Sequence, residues 1–238
     1  MMREAFSFAE IGRLLADPVF YGAGVPRGDG RAVVVIPGLF GSDLYLEPMR
    51  NWLGRIGYAP VRSALSVNAG CLRRLQGQVE AEIIRRLDGK AGPISLIGHS
   101  RGGLIAWATA TRLQARVTHL VLLGSPIGGL RESIRSGENI TPPTTIGRMM
   151  SQASTFARRM LDPDCDYPAC GCEFLRDATR RLNRATKLIS IISRDDQVVS
   201  PDSARLSPEH AVEVGGGHVG LVYNPQVYRE LGRFLATA

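Results

Sequence analysis

Ser100 stands in Gly98-His99-Ser100-Arg101-Gly102, followed by Gly103, a G-x-S-x-G segment. Such a segment suits a nucleophile when a strand runs into it and a helix runs out, because the tight turn lifts the hydroxyl clear of the sheet. Side chains at Gly98 and Gly102 would collide with neighbouring backbone in so sharp a bend. A serine hydroxyl needs a base to take its proton, and the base needs an acid to orient it. The chain has four histidines. His99 lies inside the segment and reads as structural. His119 falls in the apolar run Val117 to Leu123 and reads as a sheet or core residue, and His210 reads as a surface or turn residue. His218, in Gly215-Gly216-Gly217-His218-Val219-Gly220, sits on a glycine-flanked loop able to reach the carboxyl edge of a sheet, which makes it the candidate base. The acid is expected after Ile189 to Ser193, where Asp195 and Asp196 are adjacent. Spacing alone does not separate these two carboxylates; the one not used is expected to cap the turn or pair with Arg194. The chain order serine, aspartate, histidine differs from both common serine-protease orders.

The elements that must position these groups follow from hydrophobic periodicity. Ala32 to Ile36 is wholly apolar and stopped by Pro37-Gly38, as expected of a strand covered on both faces. Tyr58 to Val61, Pro93 to Ile97, Val117 to Leu123, Lys187 to Ser193 and Ala211 to Val214 read as further strands. Between them Glu47 to Ile56, Cys71 to Leu87 (ended by Asp88-Gly89) and Leu104 to Leu113 have helical spacing, and a helix from about Pro225 to Leu235 closes the chain. This alternation predicts an α/β domain with a mostly parallel sheet and flanking helices, spanning residues 1–238. The stretch from Gly128 to Asp177 breaks the rhythm. It is far longer than the usual connection of about 2–6 residues, so it reads as an insertion with helices of its own.

Composition excludes other classes. The 238 residues suffice for one domain with a substantial core, and 44% hydrophobic with 21% charged residues excludes a disordered chain. The net charge is +7, but the arginines are scattered and aromatic residues are only 6%, so no nucleic-acid partner is expected. Attraction to anionic surfaces is the residual consequence of that charge. No apolar run approaches the ~18 residues of a membrane span, and the start of the chain builds no secretory apolar segment. A cytoplasmic location is therefore the expectation.

The segments VVVIPGLFGS, LIGHSRGG, HLVLLGSPIGG, ISRDDQVVSPDSA and VGGGHVGLVYNPQVYRELGRFL resemble the α/β-hydrolase superfamily, especially bacterial lipase and esterase-like members, from about Arg31 to Leu235. In such proteins the acid loop reads small-x-x-Asp-x-x-Val. The register Ser193-x-x-Asp196 with Val198-Val199 therefore implies Asp196 rather than Asp195, in a triad Ser100, Asp196, His218. The resemblance also implies an oxyanion hole from the backbone N–H groups of Leu39 and Arg101, with Phe40 as a nearby alternative to Leu39. Two departures stand out. Pro37-Gly38 replaces the His-Gly often found after the first core strand, which alters how the oxyanion loop is held. Arg101 occupies a position where many relatives carry a smaller or apolar residue; it is expected to pair structurally, with recognition of an acidic substrate group as the other reading.

The insertion at residues 128–177 leaves the strand beside the nucleophile strand, which places its start at the ligand crevice and predicts a cap over Ser100. Its Thr145 to Leu161 helix carries an apolar stripe of Ile146, Met149, Ala153, Phe156 and Met160. Part of that stripe is expected to line an acyl pocket, with Met149, Phe156 and Phe40 as substrate-binding residues; the alternative is plain packing on the main domain. Cys165, Cys170 and Cys172, with the distant Cys71, lack the paired knuckles of common zinc modules. Disulfides, free thiols and a metal site remain open, and a disulfide would argue for export. The activity expected is hydrolysis of a small-molecule or lipid carboxylic ester, needing no metal or organic cofactor. An acyltransferase or thioesterase using the same triad is the alternative, and a non-catalytic binding protein of the same fold is the other class. Oligomeric state is not legible.

Overall fold

Continuous runs of β-branched and aliphatic residues can be buried only if helices cover both faces of the sheet they form. The computed structural model describes residues 7–87, 92–137, 142–165 and 172–237. Among them lies a six-stranded sheet in which β1 (Ala32–Ile36), β2 (Ala59–Arg62), β3 (Ile94–His99), β4 (Val117–Leu123), β5 (Lys187–Ser193) and β6 (Ala211–Val214) are arranged β2-β1-β3-β4-β5-β6. Every pairing is parallel. The central β1 and β3 are buried along their whole length, whereas β2 lies at an edge, is largely exposed and carries Pro60, which an edge strand tolerates.

The helices are α1 (Ser7–Ala16), α2 (Glu47–Arg55), α3 (Leu72–Arg86), α4 (Arg101–Leu113), α5 (Ile127–Ser136), α6 (Thr145–Leu161), α7 (Glu173–Thr179), the short α8 (Pro201–Ala204) and α9 (Pro225–Leu235). Alternate residues of each strand feed two cores. Val33, Val35, Ile97 and Val121 pack with Trp52 and Leu53 of α2 and Tyr228 and Leu231 of α9. Val34, Ile36, Leu96, Leu120 and Leu122 pack with Leu75, Val79 and Ile83 of α3 and Ile105 and Ala108 of α4. The period-2 alternation hidden within apolar strands thus serves two helical layers. The expected stop of α3 at Asp88-Gly89 lies outside the described residues. None of the described helices is long and apolar enough to cross a membrane.

The helix after Ser100 starts at Arg101 rather than Leu104. Gly102 and Gly103 read as turn residues by propensity, yet they form the first helical turn because nothing larger fits between α4 and the strands. A Cβ at Gly102 would strike the carbonyls of Ile36 and Pro37, and one at Gly103 would strike Ser125. Between β4 and β5 the helical insertion divides in character. Ile127 at the head of α5 and Phe174 and Ala178 of α7 are buried in the core beside α3 and α4. Helix α6 instead crosses the carboxyl edge of the sheet and is tied at its ends. Thr144 Oγ1 donates to the Gln197 carbonyl at the head, and Asp162 accepts from Arg74 Nε at 2.7 Å and Cys71 N at 2.7 Å at the tail.

Candidate active site

In the strand order, β1 and β3 are neighbours whose connections leave in opposite directions along the sheet, so a crevice opens at their carboxyl ends. The chain leaving β3 turns at Ser100, whose φ of 54° and ψ of −126° lie in a region that side chains rarely adopt. The turn is held because Ser100 N donates to the Leu123 carbonyl at 2.8 Å and Gly103 N donates to the Ser100 carbonyl at 2.9 Å. Gly98 allows it, since a Cβ there would strike Gly103. The strained position of Ser100 is therefore set by sheet pairing on one side and the head of α4 on the other.

His218 follows β6, and its Nε2 lies 2.8 Å from Ser100 Oγ. Its Nδ1 lies 2.6 Å from Asp196 Oδ2. The second oxygen of Asp196, Oδ1, accepts the backbone N–H groups of Val198 and Val199, each at 2.8 Å. Ser100, Asp196 and His218 are 8%, 5% and 4% exposed, so these contacts are shielded from competing water. Asp195 faces elsewhere. Its Oδ2 accepts Gly216 N at 3.2 Å, steadying the loop that carries His218. Ser193 Oγ donates to the Gly216 carbonyl from the same strand end. Of the other histidines, His119 lies at the opposite end of the sheet, beside Arg31, where burial first and the Arg31 charge second push its pKa down to about 4.

The loop after β1 approaches the same point. Gly38 N donates to Tyr45 Oη at 2.6 Å, Phe40 N donates to the Asn68 carbonyl at 3.0 Å, and Gly41 N donates to the Gly38 carbonyl at 3.0 Å. The Phe40 N–H is thus already engaged. Arg101 turns its guanidinium away from Ser100, donating to Asn68 Oδ1 at 2.9 Å, to the Asn68 carbonyl at 3.2 Å and to the Gly70 carbonyl. Its charge also helps hold the Asp162 carboxyl below its ordinary range, an effect led by Arg74. Asn68 is fully buried and donates from Nδ2 to the Pro37 carbonyl at 2.6 Å, so one amide side chain joins the β1 loop to the Ser100 turn. Neither Asn68 nor Tyr45 carries a sequence signal, because both act through contacts distant along the chain.

Ser100 and His218 open into a cavity of about 990 Å³ walled by Leu39, Phe40, Leu104, Leu130, Ile146 and Met150. Two expected pocket residues are elsewhere. Met149 and Phe156 do not line the cavity; they lie on the outer face of α6, 62% and 68% exposed, with Met160 beside them. The apolar stripe is wide enough to offer two faces, and the one presented to the cavity runs through Ile146, Met150 and Ser154 at four-residue spacing. Cys71, Cys165 and Cys172 are partly buried, whereas Cys170 lies outside the described residues.

A family model described as the alpha/beta hydrolase family matches residues 26–231. Among solved structures, the chain is similar to a thermophilic esterase from Thermogutta terrifontis at 17% identity and a TM-score of 0.52, over 89% of this chain and 92% of that one. It is similar to one of the metagenome-derived lipolytic enzymes LipS and LipT at 16% identity and a TM-score of 0.51, over 83% of this chain and 89% of that one. A metagenomic carboxyl esterase aligns at 15% identity and a TM-score of 0.50, over 94% of this chain and 89% of that one. At such identities the likeness speaks to fold alone. No curated protein matches the sequence.

Proposed function

The chain belongs to the alpha/beta hydrolase family, and from that premise we propose that it hydrolyses carboxylic esters with an apolar acyl group through Ser100, His218 and Asp196. The observation that carries this reading is the pair of short contacts from Ser100 Oγ to His218 Nε2 and from His218 Nδ1 to Asp196 Oδ2, at the mouth of an apolar cavity. Asp196 holds the Nδ1–H tautomer, which leaves the Nε2 lone pair facing the serine hydroxyl. Ser100 Oγ attacks the ester carbonyl while its proton passes to Nε2. The carbonyl π electrons move to oxygen, and the oxyanion is met by the backbone N–H groups of Leu39 and Arg101. Collapse of this intermediate expels the alcohol, protonated by His218, and leaves an acyl group on Ser100. Water, deprotonated by His218, repeats the addition and releases the carboxylic acid with the serine restored.

The Leu39 assignment is supported by its position between Gly38 and Phe40, whose own N–H groups are bound to Tyr45 and Asn68. Arg101 supplies its amide from the head of α4, where the helix dipole favours negative charge. Helix α6 serves as the cap and gives the acyl chain Ile146 and Met150 to pack on. The test is a panel of 4-nitrophenyl esters from acetate to palmitate run beside Ser100→Ala. Turnover by the wild type that vanishes in a folded Ser100→Ala is expected. Equal activity in both refutes the reading, and preferential acyl transfer to added alcohols or thiols would replace hydrolysis with transfer.

A further inference from the structure

We propose that Tyr45 and His99 are positioning residues, joined in one directional hydrogen-bond chain that holds the oxyanion loop and the base loop in fixed relation across the nucleophile turn. This deepens the ester-hydrolase reading and rests on it for the identity of the reaction. The direction of each bond follows from the chemistry of its partners. His99 Nε2 lies 3.0 Å from the main-chain carbonyl of His218, which has no proton to offer, so Nε2 is the donor. A neutral ring protonated at Nε2 has its lone pair at Nδ1, and the Tyr45 hydroxyl, 2.9 Å away, donates to it. The phenol oxygen then accepts Gly38 N–H at 2.6 Å. The chain therefore runs from Gly38 N–H through the Tyr45 hydroxyl to the His99 ring, and from the His99 ring to the His218 carbonyl.

Asn68 holds the same loop at the Pro37 carbonyl and the Phe40 N–H, which leaves Gly38 N–H to Tyr45. Pro37 has neither an N–H nor a polar side chain, so the loop end next to Leu39 is held from its own N-terminal side through Gly38. The Leu39 peptide is clamped between the Gly38 bond to Tyr45 and the Phe40 bond to Asn68. The loop also presses on the turn itself, for a Cβ at Gly38 would sit 2.9 Å from His99 Nδ1 and 3.1 Å from Ser100 Cβ. Tyr45 is anchored in turn, its main-chain carbonyl accepting the Tyr223 hydroxyl at 2.9 Å. The His99 ring packs 4.8 Å from the His218 ring, between centroids. Burial, with the neighbouring His218 charge second, pushes His99 down to a pKa of about 3, so the ring stays neutral and its proton arrangement does not change at working pH. One residue before the nucleophile thus sets both the height of the base and the aim of the oxyanion donor. Misplacement of either by about 1 Å costs rate rather than affinity.

The test measures 4-nitrophenyl butyrate hydrolysis and the rate of Ser100 labelling by a fluorophosphonate, for wild type, Tyr45→Phe, His99→Gln and His99→Leu. Turnover is expressed per serine labelled at saturation, so that misfolded protein does not count. Tyr45→Phe is expected to lower kcat about 10–100-fold with KM within about threefold, and to slow labelling in parallel. His99→Gln, which keeps a donor and an acceptor, is expected to retain more kcat than His99→Leu. Should the leucine variant fail to fold, Tyr45→Phe alone decides. A Tyr45→Phe enzyme with kcat and labelling within about twofold of wild type overturns the inference, as does a loss seen only in KM. Labelling of the wild type without ester turnover would remove the ester reading alone, and the labelling rates would still judge the relay. A wild type that is neither labelled nor active overturns both.

Discussion

Replacing Asp196 by asparagine tests the triad most sharply, because the surroundings dictate how the new amide must lie. Two backbone N–H groups, of Val198 and Val199, converge on Oδ1 at 2.8 Å each. The amide oxygen must take that place, which turns the NH2 group toward His218 Nδ1, which in the wild type lies 2.6 Å from a carboxylate oxygen. His218 would then have to present a lone pair at Nδ1 and carry its proton on Nε2, facing Ser100 Oγ as a donor. A base in that tautomer cannot accept the serine proton. Flipping the amide restores the tautomer but leaves the N–H groups of part-buried Val198 and buried Val199 facing NH2, at roughly 1–3 kcal/mol each. A loss of about 10⁴ in kcat, as for the equivalent change in a well-studied triad, corresponds to about 5.5 kcal/mol, which lies within that doubled range. The assay is kcat on 4-nitrophenyl butyrate with thermal melting in parallel, alongside Asp195→Asn. The latter loosens the bond to Gly216 N, away from the His218 ring, and is expected to cost about tenfold or less. A loss under tenfold for Asp196→Asn, or a larger one for Asp195→Asn, refutes the assignment.

Three further outcomes are expected. Met150→Ala should shift the kcat/KM ratio of long to short acyl esters by about tenfold, from roughly 1–3 kcal/mol per methylene-sized change, whereas Phe156→Ala on the outer face of α6 should leave the ratio unchanged; equal shifts would place both side chains on the acyl path. Gly102→Ala sets a Cβ against the carbonyls of Ile36 and Pro37 and should cost about 3 kcal/mol or more, a fall in Tm of about 6–12 °C; a variant melting with wild type would contradict the packing. His99 is neutral and buried in the fold at a pKa of about 3 against 6.5 unfolded. The unfolded chain therefore binds the extra proton as pH falls below 6.5, and the stability His99 contributes is complete above 6.5 and lost toward 3, with a slope of up to about 1.4 kcal/mol per pH unit. Denaturant melts at pH 7 and 5 should differ less in His99→Gln than in wild type, and an identical difference would count against this.

Much of the scaffold is legible in the residues because its causes are local or periodic. The apolar runs of β1, β3 and β4 announce a sheet covered on both faces, and the glycines around Ser100 are required by collisions within a few residues of the turn. His218 stands out by elimination among four histidines and by its glycine-flanked loop. Adjacent Asp195 and Asp196 look alike in sequence and are separated there only by family register; in the fold their side chains face different partners, the Gly216 amide and the His218 ring. Periodicity shows that α6 has an apolar stripe, but a helical repeat says nothing about its rotation relative to a distant partner. The cavity therefore meets Ile146 and Met150 while Met149 and Phe156 face outward. Tyr45 and Asn68 illustrate the remaining limit. Tyr45 meets His99 across 54 residues of chain and Asn68 meets Arg101 across 33, and neither residue type is distinctive at its position. Sequence determined the strands, the strained serine turn and the set of groups able to do the chemistry, because these depend on local sterics and burial patterns. Tertiary structure alone decided which hydrogen bonds hold them in register, because those bonds depend on where the closed sheet and its loops bring distant groups together.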